Sequence, residues 1–395
     1  MSHLVGVYRY FNLEIERASG IYLYTKDGKK FIDTFSGIGV LAFGHGDLDI
    51  QKAIVEKVSR YTHLSNFFLD EDAETVASKL VEKVGKDGKV FFANSGTEAN
   101  EAALKAVKKF KKGLILSFQG NFHGRTIGSL SITGFEKLRE PFEPLLEGVV
   151  ILPHNDVEKF LDFVEKHHAE ISAIFVEPLL GSGGIKPLSS KMAEAIMYAK
   201  REYGIVLVVD EVQAGLGRTG KFFCYEHFNL EPDVITVAKA LGGGLPLAAV
   251  IFTGDLKEVF TYSQHGSTFA PNPVALSAAK VVLEKLTNQL VSEVREKGDY
   301  FKKKLSLIQS EAVRDVRGLG LMIGVEVSVD GDILKESALN HGLLLNIVGG
   351  NVVRFLPALN ITYDQIDEIV ELFEKSLREV SGERDRAKKN LAPTS

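Results

Sequence analysis

The chain has little of what marks several classes of protein. It contains a single cysteine, Cys224, which excludes an intramolecular disulfide and a metal site built from several cysteines. Its formal net charge of −5 provides no basic surface for nucleic acid. No apolar stretch is long enough to cross a bilayer, and the N-terminus carries no signal-peptide pattern. These absences predict a cytoplasmic protein that binds neither nucleic acid nor membranes.

What the sequence does have is an alternation of short apolar runs with helical stretches. Its 395 residues, 45% of them hydrophobic, can bury one large core or two fused ones. Several runs are apolar almost throughout, which is typical of strands buried on both faces of a mostly parallel sheet. The alternation predicts an α/β fold. The predicted strands are residues 89–94, 113–118, 148–153, 173–178, 205–211, 233–238 and 248–253, and the predicted helices include 97–109, 156–167 and 190–203.

The two ends of the chain depart from this pattern. Residues 21–24 and 30–33 flank a Lys-Asp-Gly-Lys turn and predict a hairpin. From about Leu283 we expect a long helix, then strands at 313–316 and 321–327, and a last helix from Tyr363. The chain is therefore expected to form a small α+β domain from residues 1–45 and 283–380 and a large domain from residues 46–282. Residues 381–395 are charged and lack apolar periodicity, so we expect a disordered tail, which need not be native.

Two residues of the central region suggest a chemistry. Asp210 ends one apolar run, and Lys239 follows the next. A lysine on a crowded apolar turn loses its proton readily and can form a Schiff base with an aldehyde. A carboxylate at the end of a buried strand can keep a pyridine nitrogen protonated. The pair is what a pyridoxal phosphate site needs, although each residue alone is more often a surface charge or a helix cap.

A strand, a glycine and a helix start follow one another in the segment Asn94-Ser95-Gly96-Thr97. Free backbone amides at the start of a helix bind phosphate, which makes Gly96 and Thr97 candidates for that role. An ordinary capping box explains the same residues equally well.

An aromatic residue and an arginine lie close together in the segment Phe122-His123-Gly124-Arg125. A phenyl ring can stack on a flat cofactor, and a guanidinium can hold a carboxylate with two hydrogen bonds. A buried phenylalanine and a surface salt bridge are the alternative interpretation. His123 has no second metal ligand at a suitable spacing, so we predict an orienting or packing role for it.

Gly215, Gly217 and Gly220 form a GxGxxG pattern soon after an apolar run. A dinucleotide site needs the strand to lead directly into the first glycine and a helix to begin at the last. Other residues intervene here after Asp210, and residues 221–225 are a poor helix start. An NAD-dependent oxidoreductase is therefore kept only as a distant alternative.

A polar loop rich in hydroxyl groups, glycine and proline covers residues 265–273. Its Ser267 and Thr268 can donate hydrogen bonds to a phosphate or a substrate. The alternative is that they only form the edge of a turn.

Taken in order, these segments make the chain resemble the class III pyridoxal-phosphate-dependent aminotransferases, and among them the acetylornithine aminotransferase branch. The resemblance runs from about Tyr8 to residue 378. It implies a fold-type-I homodimer with a seven-stranded, mostly parallel sheet in the large domain and a site shared across the subunit interface. Its motifs are residues 94–99, 121–126, 210–220, 238–244, 265–269, 317–324 and 353–357.

The resemblance also implies roles around pyridoxal 5′-phosphate. Lys239 would carry the cofactor as a Schiff base, and Asp210 would pair with the pyridine nitrogen. Arg354 would receive the α-carboxylate of the second substrate. The other cofactor contacts implied are Gly96, Thr97, Phe122, Glu211, Val212, Gln213 and, from the neighbouring subunit, Thr268. The other substrate contacts implied are Tyr8, Arg125 and Ser267.

The reaction that this branch implies moves the terminal amino group of N2-acetyl-L-ornithine to 2-oxoglutarate, a step of arginine biosynthesis. The same chemistry on 4-aminobutyrate, ornithine or a lysine held on a carrier protein is the close alternative.

Several residues depart from the branch. Ser182 stands where its members have a glutamate that pairs with the arginine matching Arg354, and a serine cannot mask a guanidinium. Arg354 would then stay available to the carboxylate of an amino donor. Ala214 replaces a Thr or Cys, and Leu41 replaces an Asn. Ile38 stands where ornithine aminotransferases have Tyr, which argues against free ornithine as the best donor.

Overall fold

The computed structural model describes residues 3–382, so residues 383–395 of the predicted tail lie outside the described part. The strands, in chain order, are β1 (Ile15–Ser19), β2 (Tyr22–Thr25), β3 (Lys30–Asp33), β4 (Gly88–Ala93), β5 (Leu114–Phe118), β6 (Val149–Leu152), β7 (Ile171–Val176), β8 (Val206–Asp210), β9 (Val234–Val237), β10 (Ala248–Thr253), β11 (Val313–Leu319), β12 (Met322–Val327), β13 (Leu343–Leu344), β14 (Asn346–Val348) and β15 (Val352–Phe355). The helices are α1 (Ser36–Gly39), α2 (Leu48–Arg60), α3 (Glu71–Val84), α4 (Gly96–Phe110), α5 (Ile127–Ser131), α6 (Glu136–Arg139), α7 (Val157–His167), α8 (Ser190–Tyr203), α9 (Pro273–Lys285), α10 (Asn288–Ser306), α11 (Gly331–Asn340) and α12 (Tyr363–Ser381).

The largest sheet has seven strands in the order β4-β10-β9-β8-β7-β5-β6. All its neighbouring strands are parallel except at β10, which is antiparallel to both β4 and β9. The predicted α/β fold with a seven-stranded, mostly parallel sheet is therefore confirmed.

The apolar runs form strands because helices cover both faces of the sheet. Strands β7 to β10 are buried along their whole length. Successive residues of β7 belong to different cores: Ile174 packs in the core that contains Met192 of α8, and Phe175 packs in the core that contains Leu104 of α4. Burial on both faces removes the polar alternation that a half-exposed strand would show.

Two four-stranded sheets are built from the ends of the chain. One has the order β1-β2-β3-β13 and the other β11-β12-β15-β14. The short strand β13 pairs in parallel with β3, so a C-terminal segment completes the N-terminal sheet. The domain boundaries inferred from the sequence stay a prediction.

The structure corrects one expected element and adds several others. The long helix expected from about Leu283 begins only at Asn288, because α9 continues to Lys285 and the Thr287 side chain caps a new helix by accepting the Leu290 N–H. The predicted hairpin is present as β2 and β3, and β1, which the sequence analysis did not predict, precedes it. Within residues 3–382 no helix is both long and apolar enough to span a membrane.

The sheet gathers the chemically interesting residues at one edge. Asp210 ends β8, Lys239 follows β9, and Glu177 follows β7. The loops after β4 and β5 lead to Gly96 and Phe122. Since the carboxyl ends of parallel strands meet at the same edge, open α/β sheets bind ligands there.

Candidate active site

A cavity of about 460 Å³ opens at this edge of the sheet. Such a volume suits a small organic ligand. Eight residues singled out from the sequence line it, namely Gly96, Thr97, Phe122, Arg125, Asp210, Val212, Gln213 and Lys239. Other lining residues include Val40, Asn94, Asn100, His123, Glu177 and the segment 244–247.

Lys239 begins a tight turn directly after β9. Its φ of +43° is rare for a residue with a side chain, and such strained backbone is frequent at functional sites. Burial and, after it, the positive charge of Arg354 lower the pKa of the Lys239 ammonium to about 8, against the opposing effect of the nearby carboxylates Asp210 and Glu177. A substantial fraction of this amine is therefore neutral, and hence nucleophilic, near physiological pH.

Asp210 is held rigidly in the floor of the cavity. Its carboxylate is only 4% exposed. Oδ2 accepts a hydrogen bond from Asn100 Nδ2 at 2.8 Å and lies 2.7 Å from His123 Nδ1. Oδ1 accepts the Val212 N–H at 3.0 Å. These contacts fix the plane of the carboxylate.

The orientation of Asn100 follows from its other partner. The hydroxyl of Thr236 on β9 donates to Asn100 Oδ1 at 3.1 Å, so the amide nitrogen must face the other way. That nitrogen donates to Asp210 and also to the backbone carbonyl of His123 at 2.8 Å. Asn100 therefore ties α4, β8 and the loop after β5 together at the base of the cavity.

Glu177 is a second buried carboxylate that the sequence analysis did not select. It accepts the Phe122 N–H at 2.6 Å and the Gly181 N–H at 3.2 Å, and so links the loops after β5 and β7. Burial, helped by the charge of Asp210, raises the pKa of Glu177 to about 7. Its position could have revealed it. Glu177 directly follows β7, and Asp210 ends the neighbouring parallel strand β8, so the two carboxylates lie at the same edge of the sheet.

The start of α4 provides backbone amides at the cavity wall. Ser95 caps the helix by accepting the Glu98 N–H, which leaves the amides of Gly96 and Thr97 at the helix start. Any Cβ at Gly96 would lie 2.7 Å from a methyl group of Val212, so a glycine is required for this close approach. Amides at a helix start attract anions, phosphate among them.

Arg354 is connected to the cavity by a hydrogen bond to Gln213, which lines it. Its guanidinium is buried, with Nη1 donating to Gln213 Oε1 at 3.0 Å and Nε donating to Asn346 Oδ1 at 2.9 Å. Burial lowers the pKa of Arg354 to about 10, while the negative charge of Glu177 opposes the change. Within the described residues no carboxylate forms a hydrogen bond or ion pair with Arg354, and Ser182 makes no hydrogen bond to it.

The structure places Glu211 away from the cavity, contrary to the role implied by the resemblance. Its carboxylate accepts the backbone N–H groups of Cys224 and Tyr225 at 2.8 and 2.7 Å. Burial raises the pKa of Glu211 to about 8. Its carboxylate thus anchors a loop, and Asp210 alone of this adjacent pair lines the cavity.

Three further residues from the sequence analysis lie, like Arg354, outside the cavity lining. Tyr8 is 72% exposed, and Thr268 is exposed as well. Ser267 is half-buried, and its hydroxyl accepts from Asn94 Nδ2 at 3.2 Å, which connects it to a lining residue. The single chain therefore does not bring Tyr8 and Thr268 into its own site.

The glycine pattern of residues 215–220 does not have the geometry of a dinucleotide site. Strand β8 ends at Asp210, and the next helical segment is a short 3-10 turn from Cys224. No helix begins at Gly220, whose surroundings are instead the backbone and Cβ of Arg295. The NAD-dependent oxidoreductase alternative therefore lacks the helix start that a dinucleotide site requires.

The cavity fits pyridoxal phosphate in the chemistry of its donors. It contains an amine with a lowered pKa, a buried carboxylate, an aromatic side chain and a helix start, which match the aldehyde, the pyridine nitrogen, the ring and the phosphate of that cofactor. The four features are Lys239, Asp210, Phe122 and the Gly96–Thr97 amides.

Comparison with known proteins places the chain in a family. The model of the aminotransferase class-III family matches residues 6–377. The acetylornithine aminotransferase of Aquifex aeolicus is 39% identical over 383 residues, which cover 95% of this chain and 100% of that protein.

Solved structures agree with the sequence comparison. The ornithine aminotransferase of Toxoplasma gondii superposes with a TM-score of 0.90 at 26% identity, covering 96% of this chain and 94% of that one. The N-acetylornithine aminotransferase of Stenotrophomonas maltophilia gives 0.80 at 30% identity, covering 93% and 96%. The chain belongs to the class III aminotransferases.

Proposed function

We propose that this aminotransferase moves the terminal amino group of N2-acetyl-L-ornithine to 2-oxoglutarate, giving N-acetylglutamate semialdehyde and glutamate in arginine biosynthesis. The observation that carries the proposal is the presence in one cavity of Lys239, with its lowered pKa, and the buried Asp210. The donor is supported by the relative from Aquifex aeolicus, which is named acetylornithine aminotransferase and is matched along its whole length.

The cofactor is pyridoxal 5′-phosphate. When bound, it supplies an aldehyde that exchanges amines and a ring that accepts the electron pair of a carbanion. Asp210, fixed by Asn100 and His123, would hold the pyridine nitrogen in its protonated form. The amides of Gly96 and Thr97 would hold the phosphate, while Phe122 and Val212 would contact the ring.

Lys239 carries out the proton movement. Its neutral Nζ, freed when the incoming amine takes its place on the cofactor, would take the proton from the amino-bearing carbon of the substrate and pass it to the aldehyde carbon of the cofactor. The lowered pKa near 8 suits this task, because the same group must accept and release a proton near physiological pH.

The two substrates present their carboxylates to two arginines. Arg125 lines the cavity and is exposed, so it is placed to meet a carboxylate that enters from solvent. Arg354 is buried and lies behind Gln213, which suits the α-carboxylate of 2-oxoglutarate. Both partners of Arg354, Gln213 and Asn346, are neutral amides, so its charge is not cancelled by a hydrogen-bonded carboxylate.

The absence of a hydrogen-bonded carboxylate at Arg354 leaves room for other amino donors. With Ser182 in place of a glutamate, Arg354 is open to the carboxylate of the donor as well as that of the acceptor. The alternative donors are 4-aminobutyrate, ornithine and a lysine held on a carrier protein, and of these Ile38 argues against ornithine.

The functional unit is a cytoplasmic homodimer. Several large apolar side chains near the loop of Ser267 are exposed. They include Phe67, Leu69 and Tyr262, which are 91%, 81% and 95% exposed. Asn66 Nδ2 donates to Ser267 O at 2.6 Å, which places this patch beside the loop. Exposed apolar clusters of this kind support a contact with another protein surface, here a second copy of the chain.

Full turnover with an isotopic label tests the proposal. The purified enzyme with pyridoxal phosphate is given N2-acetylornithine labelled with 15N at the terminal amine, together with 2-oxoglutarate. The label is expected in glutamate, with one semialdehyde formed for each glutamate. Unlabelled glutamate, or no glutamate, would refute the proposed transfer.

A further inference from the structure

Helix α4 carries a stripe of polar residues that holds two loops. Thr97, Glu101, Lys105 and Lys109 follow one another at four-residue spacing, so they lie on one side of the helix. The first two contact the segment 126–129, because Ser129 Oγ lies 2.5 Å from Thr97 Oγ1 and the Ser129 N–H donates to Glu101 at 3.0 Å. The two lysines contact a different loop.

Lys105 holds that second loop at two points. Its Nζ donates to the Gln264 carbonyl at 3.1 Å and lies 2.9 Å from His265 Nδ1. An ammonium group only donates, so Nδ1 of His265 must be the acceptor. The imidazole is packed between Phe91 and Phe260, with centroid distances of 4.6 and 5.2 Å. The ring is therefore fixed in position as well as in tautomer.

The hydroxyl pair of the candidate site, Ser267 and Thr268, begins two residues after His265. Ser267 accepts from Asn94, which lines the cavity, and its carbonyl accepts from Asn66 at 2.6 Å. Thr268 is exposed. The loop is thus attached to α4 on one side of this pair and to Asn66 and Asn94 on the other.

We propose that Lys105 and His265 are positioning residues, which place Ser267 for binding of the donor and Thr268 for binding of the neighbouring subunit's cofactor. The inference rests on the proposed function, because the two hydroxyls act only if the site takes pyridoxal phosphate and an amino acid. The inference is supported by the position of both features on one helix. Helix α4 begins at the proposed phosphate site and, two turns later, holds the loop through Lys105.

The contact depends on a neutral imidazole. Burial and the charge of Lys105 lower the pKa of His265, and the more distant Glu101 opposes this. The other groups around the ring, Phe91 and Phe260, carry no charge. Protonation of His265 removes the acceptor and puts two positive charges next to each other. The loop is therefore expected to loosen as the pH falls below the ordinary histidine range.

Lys105→Met tests the positioning role, with Lys108→Met as its matched control. Lys108 lies on the same helix, and no hydrogen bond or ion pair of its ammonium is found in the described part of the chain. The dissociation constant of pyridoxal phosphate from the apoprotein and the KM for N2-acetylornithine are measured, together with the melting temperature. We expect Lys105→Met to raise both constants by roughly three- to tenfold, the effect of one lost hydrogen bond. The melting temperature and the control should stay close to the wild type.

His265→Asn provides the second variant, since its side-chain oxygen can still accept from Lys105 but does not titrate. It is expected to bind the cofactor as the wild type does at neutral pH and to show less weakening in acid. Equal constants for Lys105→Met and Lys108→Met, or an unchanged acid response in His265→Asn, would overturn the inference alone. A wild-type protein that binds no pyridoxal phosphate would overturn the proposed function and this inference with it.

Discussion

His123 Nδ1 lies 2.7 Å from Asp210 Oδ2, in a part of the protein where both side chains are almost fully buried. The ring sits under the carboxylate and gives it a fixed partner, which Asn100 supplements from the side of α4. A carboxylate held this way cannot turn away from a cofactor nitrogen. The contact gives His123 a positioning role toward Asp210.

Replacing Asp210 by Asn should keep the shape of this network and remove its charge. We expect turnover to fall about a hundredfold or more, as when a preorganised electrostatic partner of a reaction is lost. The melting temperature should change far less. The exposed Asp255→Asn serves as the control. Turnover within a few-fold of the wild type would show that Asp210 does not interact with the cofactor nitrogen.

Removing the Lys239 amine should abolish turnover while the fold survives, because this side chain lines a cavity rather than filling a core. Lys239→Ala is assayed for label transfer, for visible absorption with pyridoxal phosphate and for its melting temperature. Lys108→Ala is the matched control. Substantial transamination by Lys239→Ala would refute the assignment of Lys239 as the residue that binds the cofactor and moves the proton.

The lowered pKa of Lys239 predicts when the apoprotein reacts with its cofactor. An ordinary lysine titrates near 10.5, whereas Lys239 titrates at about 8, so its neutral form appears at lower pH. The rate at which pyridoxal phosphate becomes covalently attached should rise as the pH increases through about 8 and then level off. Stopped-flow absorbance measures this rate. A rate that still climbs steeply between about pH 9 and 10 would point to an unperturbed lysine.

Arg354→Met should separate the two half-reactions. Loss of a buried guanidinium that binds a carboxylate should raise the KM for 2-oxoglutarate by about ten- to a hundredfold. The half-reaction with N2-acetylornithine should change much less, and the exposed Arg378→Met should change neither. Equal losses in both half-reactions would mean that the donor also uses Arg354, as the presence of Ser182 allows.

Much of the fold could be predicted from the sequence because the buried strands are nearly continuous apolar runs. The strand predicted at 248–253 has the bounds of β10, and the helix predicted at 190–203 has those of α8. The direction of β10 and the pairing of β13 with β3 could not be predicted, since both depend on contacts between distant segments. The break between α9 and α10 was missed because the apolar pattern continues across it.

The candidate site was predictable where one residue type at one position has a recognisable chemistry. Lys239 and Asp210 line the same cavity as expected, although their catalytic roles stay predictions. Glu177 was missed because its importance comes from burial and from a partner far along the chain, Phe122. Asn346 was missed because its contact with Arg354 depends on the pairing of β14 with β15. Glu211 stands beside Asp210 in sequence, but successive residues leaving a strand point in different directions.

The most direct test of the account follows one half-reaction, that of the amino donor with the enzyme carrying pyridoxal phosphate, which absorbs visible light. N2-acetylornithine, ornithine, 4-aminobutyrate and lysine are mixed separately with the enzyme carrying pyridoxal phosphate, and the decay of its visible absorption is timed. The account predicts that N2-acetylornithine removes the absorption fastest by a wide margin. Faster reaction with another of these amines would contradict the proposed donor, and no reaction with any amine would contradict the aminotransferase mechanism built on Lys239.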